Sequence, residues 1–354
     1  MLACPPPTRR RSTIPDPVTV LITSYLEPAH AQRIAGSGPG VRVLYDPALV
    51  APPRFAGDHS GCPGFRRNPE QDARYRQWLS EADVHFDLDA EYAPAFATLA
   101  PQLRWIQATS SGIGPAVRRA GLDRSGILIT NAAGIHAVPL AEHALLALLY
   151  FVKDVPARLR AQRAHTWERY AGRELLGMTV AVVGLGAVGL EVARVLRSVG
   201  MRVIGVRRSP LDAGAAACVD EAATPDRLRE ILPRCDAVVL IAPHTRETEG
   251  MIGERELALL PPGAILVNIA RGALVDEPAL INALRRGHLG GAALDVAAVE
   301  PLPADSPLWG LPNVLITPHS ASTVVRENER LTDLFVENLL RYRAGEPLLN
   351  QLRL

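Results

Sequence analysis

Lysine is all but missing from this chain. Lys153 is the only one, so the basic residues are nearly all arginine, a bias that points to a GC-rich coding sequence rather than to a mechanism. Net charge is missing too: 38 basic against 37 acidic residues leave +1, which excludes the strong field of a nucleic-acid-binding or membrane-surface protein. Cysteine is scarce. Cys4, Cys62, Cys218 and Cys235 lie far apart and form no CxxC pair, which argues against a disulfide framework and a zinc site and predicts a cytoplasmic, metal-free protein. No apolar run reaches membrane-spanning length, since the most apolar segment, 140–152, is short and contains Glu142 and His143. The first 17 residues hold prolines and arginines but no signal-peptide core, so they read as a disordered leader.

What is present is apolar material for two cores: 48% of 354 residues, a length that predicts two domains. The stretch 179–209 organises the rest. Val180, Ala181, Val182 and Val183 read as a buried parallel strand, followed at once by Gly184, Gly186 and Gly189 in GxGxxG spacing. Gly184 permits a tight turn, Gly186 lets the backbone approach a pyrophosphate, and Gly189 lets the next helix, about 188–199, pack on the strand. That helix offers its unpaired N-terminal amides and positive end to the phosphates, so Ala187 and Val188 join the cofactor-binding residues. A second strand, 202–206, follows on schedule. It ends in Val206, Arg207, Arg208 and Ser209, with no carboxylate for a ribose 2′-hydroxyl. Two guanidiniums and a hydroxyl suit a 2′-phosphate, so the sequence predicts NADP(H) over NAD(H), with NAD(H) as the alternative.

Taken in order, 18–23 and 41–45 read as strands around a helix near 28–35. A long loop at 46–68 follows; it includes Asp58 and His59 but shows no metal-ligand spacing. Strands return at 84–88, 103–108 and 127–130, with helices near 71–80 and 92–99. A helix at 137–152, apolar on nearly every side, should be buried between domains or subunits. From residue 177 the pattern predicts six strands, near 180, 203, 237–241, 265–267, 292–294 and 314–316. With helices between them, notably 277–286, these make a doubly wound parallel sheet. A final amphipathic helix spans about 324–343.

Ligands of such sheets bind beyond the carboxyl ends of the strands. Three polar segments stand there: Asn268-Ile269-Ala270-Arg271-Gly272, then Asp295 with Glu300-Pro301, then Thr317-Pro318-His319. An arginine, a carboxylate and an imidazole at neighbouring strand ends can converge on one ligand.

From about residue 131 to 350 the chain resembles the D-isomer-specific 2-hydroxyacid dehydrogenase family. ITNAAGIHAVPLAEHALLALL, VVGLGAVG, VVLIAPHTRETEGMI, LVNIARGALVDEPALINAL, AALDVAAVEPLP and LITPHSAS match its signature blocks in order. The resemblance implies two Rossmann-like domains. A flavodoxin-like substrate domain, 18–137 with 322–354, is interrupted by a dinucleotide-binding domain, 138–321, with the reaction in the cleft between them. It also implies that Arg271, Glu300 and His319 are catalytic. His319 would be the acid/base, Glu300 would orient its ring and favour the imidazolium, and Arg271 would hold the substrate carboxylate and polarise the keto oxygen. Ser110, Ser111, Gly112 and Ile113 match the loop whose amides receive the substrate carboxylate, and His136 falls beside the active site. Pro243, His244 and Thr245 resemble a cofactor-edge loop, Thr248 and Ala270 join the cofactor set, and Asp295 resembles the residue that bonds the nicotinamide carboxamide.

The expected activity is therefore interconversion of a 2-keto acid and a D-2-hydroxy acid with NADP(H), in a homodimer. Two rivals stand beside it: a non-catalytic nucleotide sensor of the same fold, and a phosphite or formate dehydrogenase. Formate enzymes of this type carry Gln where Glu300 stands, and a pure sensor has no need of an acid paired with a carboxylate.

Overall fold

The structure, a computed structural model, describes residues 16–352. Residues 1–15 of the expected leader lie outside the described residues. The chain divides into two compact units, 1–135 with 324–354, and 136–323.

The first unit is built on a five-stranded parallel sheet of β1 (Val18–Ile22), β2 (Val41–Leu44), β3 (Val84–Phe86), β4 (Trp105–Gln107) and β5 (Leu128–Thr130), in the order β2-β1-β3-β4-β5. That order is the flavodoxin-like one. The inner strands β1, β3 and β4 are short runs buried along their whole length, as a parallel sheet covered by helices requires, while the edge strand β2 is only partly buried. β3 ends earlier than the apolar run suggests because Asp87 takes a left-handed backbone (φ 76) and its carboxylate accepts from the amides of Leu88 and Thr109. The last long helix, Glu327–Ala344, closes one face. Phe335 stacks on Trp105 with ring centroids 5.2 Å apart, and Asn338 donates to the buried Gln107 side chain at 2.9 Å. This helix starts at 327 rather than 324, with Arg326 as its first flanking residue.

The region near 92–99, expected as one helix, is a 3₁₀ turn at Ala93–Ala95 and a short helix at Phe96–Leu99, Pro94 disrupting the regular ladder. The loop 46–68 has one 3₁₀ turn, Pro47–Leu49, and is pinned at both ends. Asp58 is buried and gripped by Arg54 at 2.7 and 3.0 Å, which holds its carboxyl down at about 2. Arg67 lies 3.6 Å over the Tyr75 ring and donates to the Leu49 carbonyl.

The second unit carries seven parallel strands, one more than the sequence pattern shows: β6 (Thr179–Val183), β7 (Arg202–Val206), β8 (Glu221–Ala223), β9 (Ala237–Leu240), β10 (Ala264–Asn268), β11 (Leu289–Leu294) and β12 (Val314–Ile316). The additional strand is β8. Only three residues long, at the sheet edge and opening on a glutamate, it has no periodicity to betray it. The order β12-β11-β10-β9-β6-β7-β8 reverses direction between β6 and β9, and the crevice at such a reversal is where this sheet type takes its ligand. Helix Ala137–Val152 packs Ala141, Ala144, Ala147 and Leu148 into the core beside helix Ala187–Ser198, while Leu146 on its other side is 56% exposed. No helix among the described residues is long and apolar enough to cross a membrane.

Candidate active site

The glycine turn leaves β6 with Gly184 at φ +106. A Cβ there would sit 2.6 Å from the Ala242 amide, and one on Gly189 only 1.8 Å from the Gly184 carbonyl oxygen, so both positions demand glycine. Gly186 differs. Its backbone is extended, and nothing lies within 4 Å of where a Cβ would be. Open space therefore stands over the turn, at the exposed start of a 12-residue helix whose first residues are Ala187 and Val188. That is the shape and polarity a pyrophosphate needs. The Gly184 amide donates to Val206, so β7 ends beside this turn. Just beyond, the Arg207 guanidinium donates to Ser209 Oγ at 2.9 Å, and Arg208 is exposed.

On the other side of the turn, Pro243 and Thr245 are joined by Thr248. Its hydroxyl donates to the Pro243 carbonyl at 2.7 Å and accepts from the Thr245 amide at 2.8 Å. Thr248 therefore shapes this loop through contacts within it.

β10, β11 and β12 are neighbours in register, Asn268 beside Leu294 and Leu294 beside Ile316, so the segments after them leave the sheet together. Asp295, the first residue past β11, is 4% exposed. Its Oδ1 accepts from Thr317 Oγ1 at 2.7 Å and from the amides of Ser320 and Ala321 at 2.9 and 3.0 Å, while its carbonyl accepts from the His319 amide at 2.7 Å. One carboxylate thus fixes the whole turn that presents His319. His319 itself has a left-handed backbone (φ 51), a strained state for a side chain of its size that these four bonds hold in place. Its Nδ1 lies 2.8 Å from Glu300 Oε2. A carboxylate only accepts, so Nδ1 carries the proton and Nε2 is left to face a ligand. Glu300 is steadied in turn by the Ala297 amide, 3.2 Å from its other oxygen.

Arg271 follows β10. Asn268, 1% exposed, donates to the Arg271 carbonyl and accepts from the Ala270 amide, and the Arg271 guanidinium donates to the Ala270 carbonyl at 2.6 Å. The structure thus joins Glu300 and His319 directly. Arg271 is placed on the adjacent strand end without a hydrogen bond to either. Asn268 and Thr317, which position Arg271 and the His319 turn, carry no signal in the sequence beyond their place at strand ends.

In the first unit, Ser110, Ser111, Gly112 and Ile113 follow β4 as a largely exposed loop. The carbonyls of Ser110 and Ser111 accept from Ala132 and Asn131, and among the described residues the four amides have no acceptor within the protein. His136 is the residue before helix Ala137–Val152 and makes no side-chain cap bond to it.

A glycine turn at the reversal of a doubly wound sheet, with an imidazole–carboxylate pair at the strand ends, defines a dinucleotide-binding α/β protein of dehydrogenase type. Comparison with known proteins gives the family. Residues 145–321 match the D-isomer specific 2-hydroxyacid dehydrogenase, NAD binding domain. The chain is 37% identical over 261 residues to D-3-phosphoglycerate dehydrogenase of Mycobacterium bovis, covering 73% of this chain and 48% of that protein. It is 36% identical over 232 residues to glyoxylate reductase of Pyrococcus furiosus, covering 63% and 68%. A solved D-isomer specific 2-hydroxyacid dehydrogenase from Xanthobacter autotrophicus Py2, in complex with NADPH and MES, superposes with a TM-score of 0.74 at 30% identity, over 95% of this chain and 98% of that one. The chain spans about half the length of the phosphoglycerate dehydrogenases it matches. It belongs to the D-isomer specific 2-hydroxyacid dehydrogenase family.

Proposed function

We propose that this chain is an NADP(H)-preferring oxidoreductase that interconverts a 2-keto acid and a D-2-hydroxy acid, with His319 as acid/base. The observation that carries the proposal is the 2.8 Å bond between His319 Nδ1 and Glu300, which leaves Nε2 as the proton donor at the end of a strand two places from the one bearing Arg271.

The turn from Gly184 to Gly189, with the first amides of its helix at Ala187 and Val188, would hold the pyrophosphate. Arg207, Arg208 and Ser209 would grip a 2′-phosphate, and Asp295, Ala270 and Pro243 would border the nicotinamide. When bound, the reduced nicotinamide supplies a hydride. Arg271 releases the Ala270 carbonyl and takes the substrate carboxylate with paired donors, with His136 as a further substrate contact; on the first unit, the free amides at Ser111, Gly112 and Ile113 are the proposed substrate-binding donors. His319 Nε2 gives its proton to the keto oxygen as the carbon beside it is reduced, and Glu300 stabilises the ring through the transfer. In the reverse direction the neutral ring accepts the hydroxyl proton. The NADPH in the Xanthobacter relative supports the coenzyme preference, together with the lack of a carboxylate after β7.

The same reading includes a homodimer and a cytoplasmic setting. Trp167, Leu176 and Leu146 are apolar side chains 96, 70 and 56% exposed, of the kind a second copy would cover, and Cys62, Cys218 and Cys235 are free thiols. A panel of 2-keto acids assayed with NADPH and NADH, with chiral analysis of the product, tests the whole. Turnover with NADPH to the D-hydroxy acid is expected; no turnover of any keto acid with either coenzyme would refute it.

A further inference from the structure

Beside the acid–base pair lies a partly open cavity of about 420 Å³, lined by residues of the second unit between 294 and 319. Its hydrocarbon walls come from Leu294, Val296, Leu302, Leu308, Ile316 and Trp309. Apart from His319 Nε2, its main polar side chains are already engaged within the protein. Asp295 is held by Thr317, Glu300 by His319, and Trp309 Nε1 donates to the Pro303 carbonyl at 2.9 Å. A space with such walls gives water little to bond to and favours an apolar guest.

Its position decides what the guest does. Glu300 and His319 both line the cavity, along with Pro301 and Leu302, but Arg271 does not. Arg271, the residue read as holding the substrate carboxylate, is thus absent from the lining, whereas Glu300, bonded to Nδ1, is part of it.

We infer that this cavity is a binding site for a small, neutral, aromatic or hydrocarbon molecule, which rests against Glu300 and lowers turnover without competing with the keto acid. Its effect on turnover rests on the reading of His319 and Glu300 given above; binding itself does not. The guest acts by displacing the carboxylate that orients the imidazole, so kcat falls while KM for the keto acid holds.

Indole serves as probe, with saturation-transfer NMR on the intact protein for binding and steady-state kinetics for the effect. Binding with a Kd of about 1 mM or below is expected, an affinity open to a ligand of its size, with a fall in kcat at constant KM. Leu302→Trp, which fills the cavity from its half-buried wall, should weaken indole at least about tenfold, as converted from roughly 1.4 kcal/mol of lost binding. Trp309→Ala, at the exposed rim, should weaken it by a smaller factor and guards against misfolding of the first variant. Failure of indole to bind, equal binding to both variants and the parent, or inhibition that raises KM alone would overturn the inference. Binding that is lost in Leu302→Trp, in a protein that turns over no keto acid, would keep the site and overturn only its catalytic link.

Discussion

His319 Nδ1 and Glu300 Oε2 meet at 2.8 Å, although 19 residues and an entire strand separate them along the chain. The bond fixes which nitrogen faces a ligand, and that makes the carboxylate's contribution measurable. Glu300→Gln keeps a hydrogen-bonding group but loses the charge, and Glu300→Ala loses both. The kcat of keto acid reduction should fall about 10-fold and about 100-fold respectively, as expected for groups that orient or stabilise a catalytic imidazole. The Kd for NADPH, measured by fluorescence titration, should change little in either.

The proposed coenzyme choice rests on the end of β7. Arg207 and Ser209 are already joined at 2.9 Å, and in the proposed reading this pair receives the 2′-phosphate. Replacing Arg207 with Asp should reverse the ratio of kcat/KM for NADPH over NADH, lowering the NADPH value by at least about 10-fold through loss of a charge-assisted pair worth roughly 1.5–3 kcal/mol. A parent protein that prefers NADH would refute the assignment.

The glycine turn predicts a sharp contrast between two alanine substitutions. In Gly189→Ala the new methyl would overlap the Gly184 carbonyl oxygen, so the turn must deform and the melting temperature should drop. Gly186→Ala meets nothing within 4 Å, so the protein should melt within a few degrees of the parent while coenzyme affinity falls. Differential scanning fluorimetry, with and without NADPH, separates the two.

Stability should depend on pH through His85. This side chain on β3 is fully buried, packs edge-on against Phe96 and, among the described residues, has no hydrogen-bond partner at either ring nitrogen. Burial pulls its pKa down to about 3, from the usual 6.5. The folded state keeps the ring neutral while the unfolded chain protonates it. The stability this allows is therefore complete above pH 6.5 and drains away as the pH falls from 6.5 toward 3, by up to roughly 4 kcal/mol. Asp58, held at about 2, loses its contribution in a lower window, below the ordinary carboxylate value of 3.8. His85→Leu should raise the melting temperature at pH 5 more than at pH 8; an equal change at both would refute the mechanism.

Much of this architecture was legible because parallel strands buried on both faces are written as β-branched runs, and because the glycine turn has to follow one of them. The runs at 180–183, 237–240 and 265–267 show their strands openly, and the strand ends then locate Arg271, Asp295 and His319. β8 was not legible, since its pairing is decided by β7 and not by its own three residues. The Glu300–His319 contact was legible only through the family resemblance, because the segment between β11 and β12 has no period from which to fold it. Arg271 shows a further limit. Its identity and place follow from the sequence, but its hydrogen bond to the neighbouring Ala270 carbonyl does not. The cavity lined between 294 and 319 arises from side chains of two strands and an irregular segment, and no local pattern announces it.

The most direct test of the account is the NADPH-dependent reduction of 2-keto acids by His319→Asn, measured alongside its NADPH affinity. Loss of kcat by a factor of about 10²–10⁴, with the coenzyme bound as tightly as by the parent, is the predicted result. Near-parental kcat in that variant would contradict the central claim.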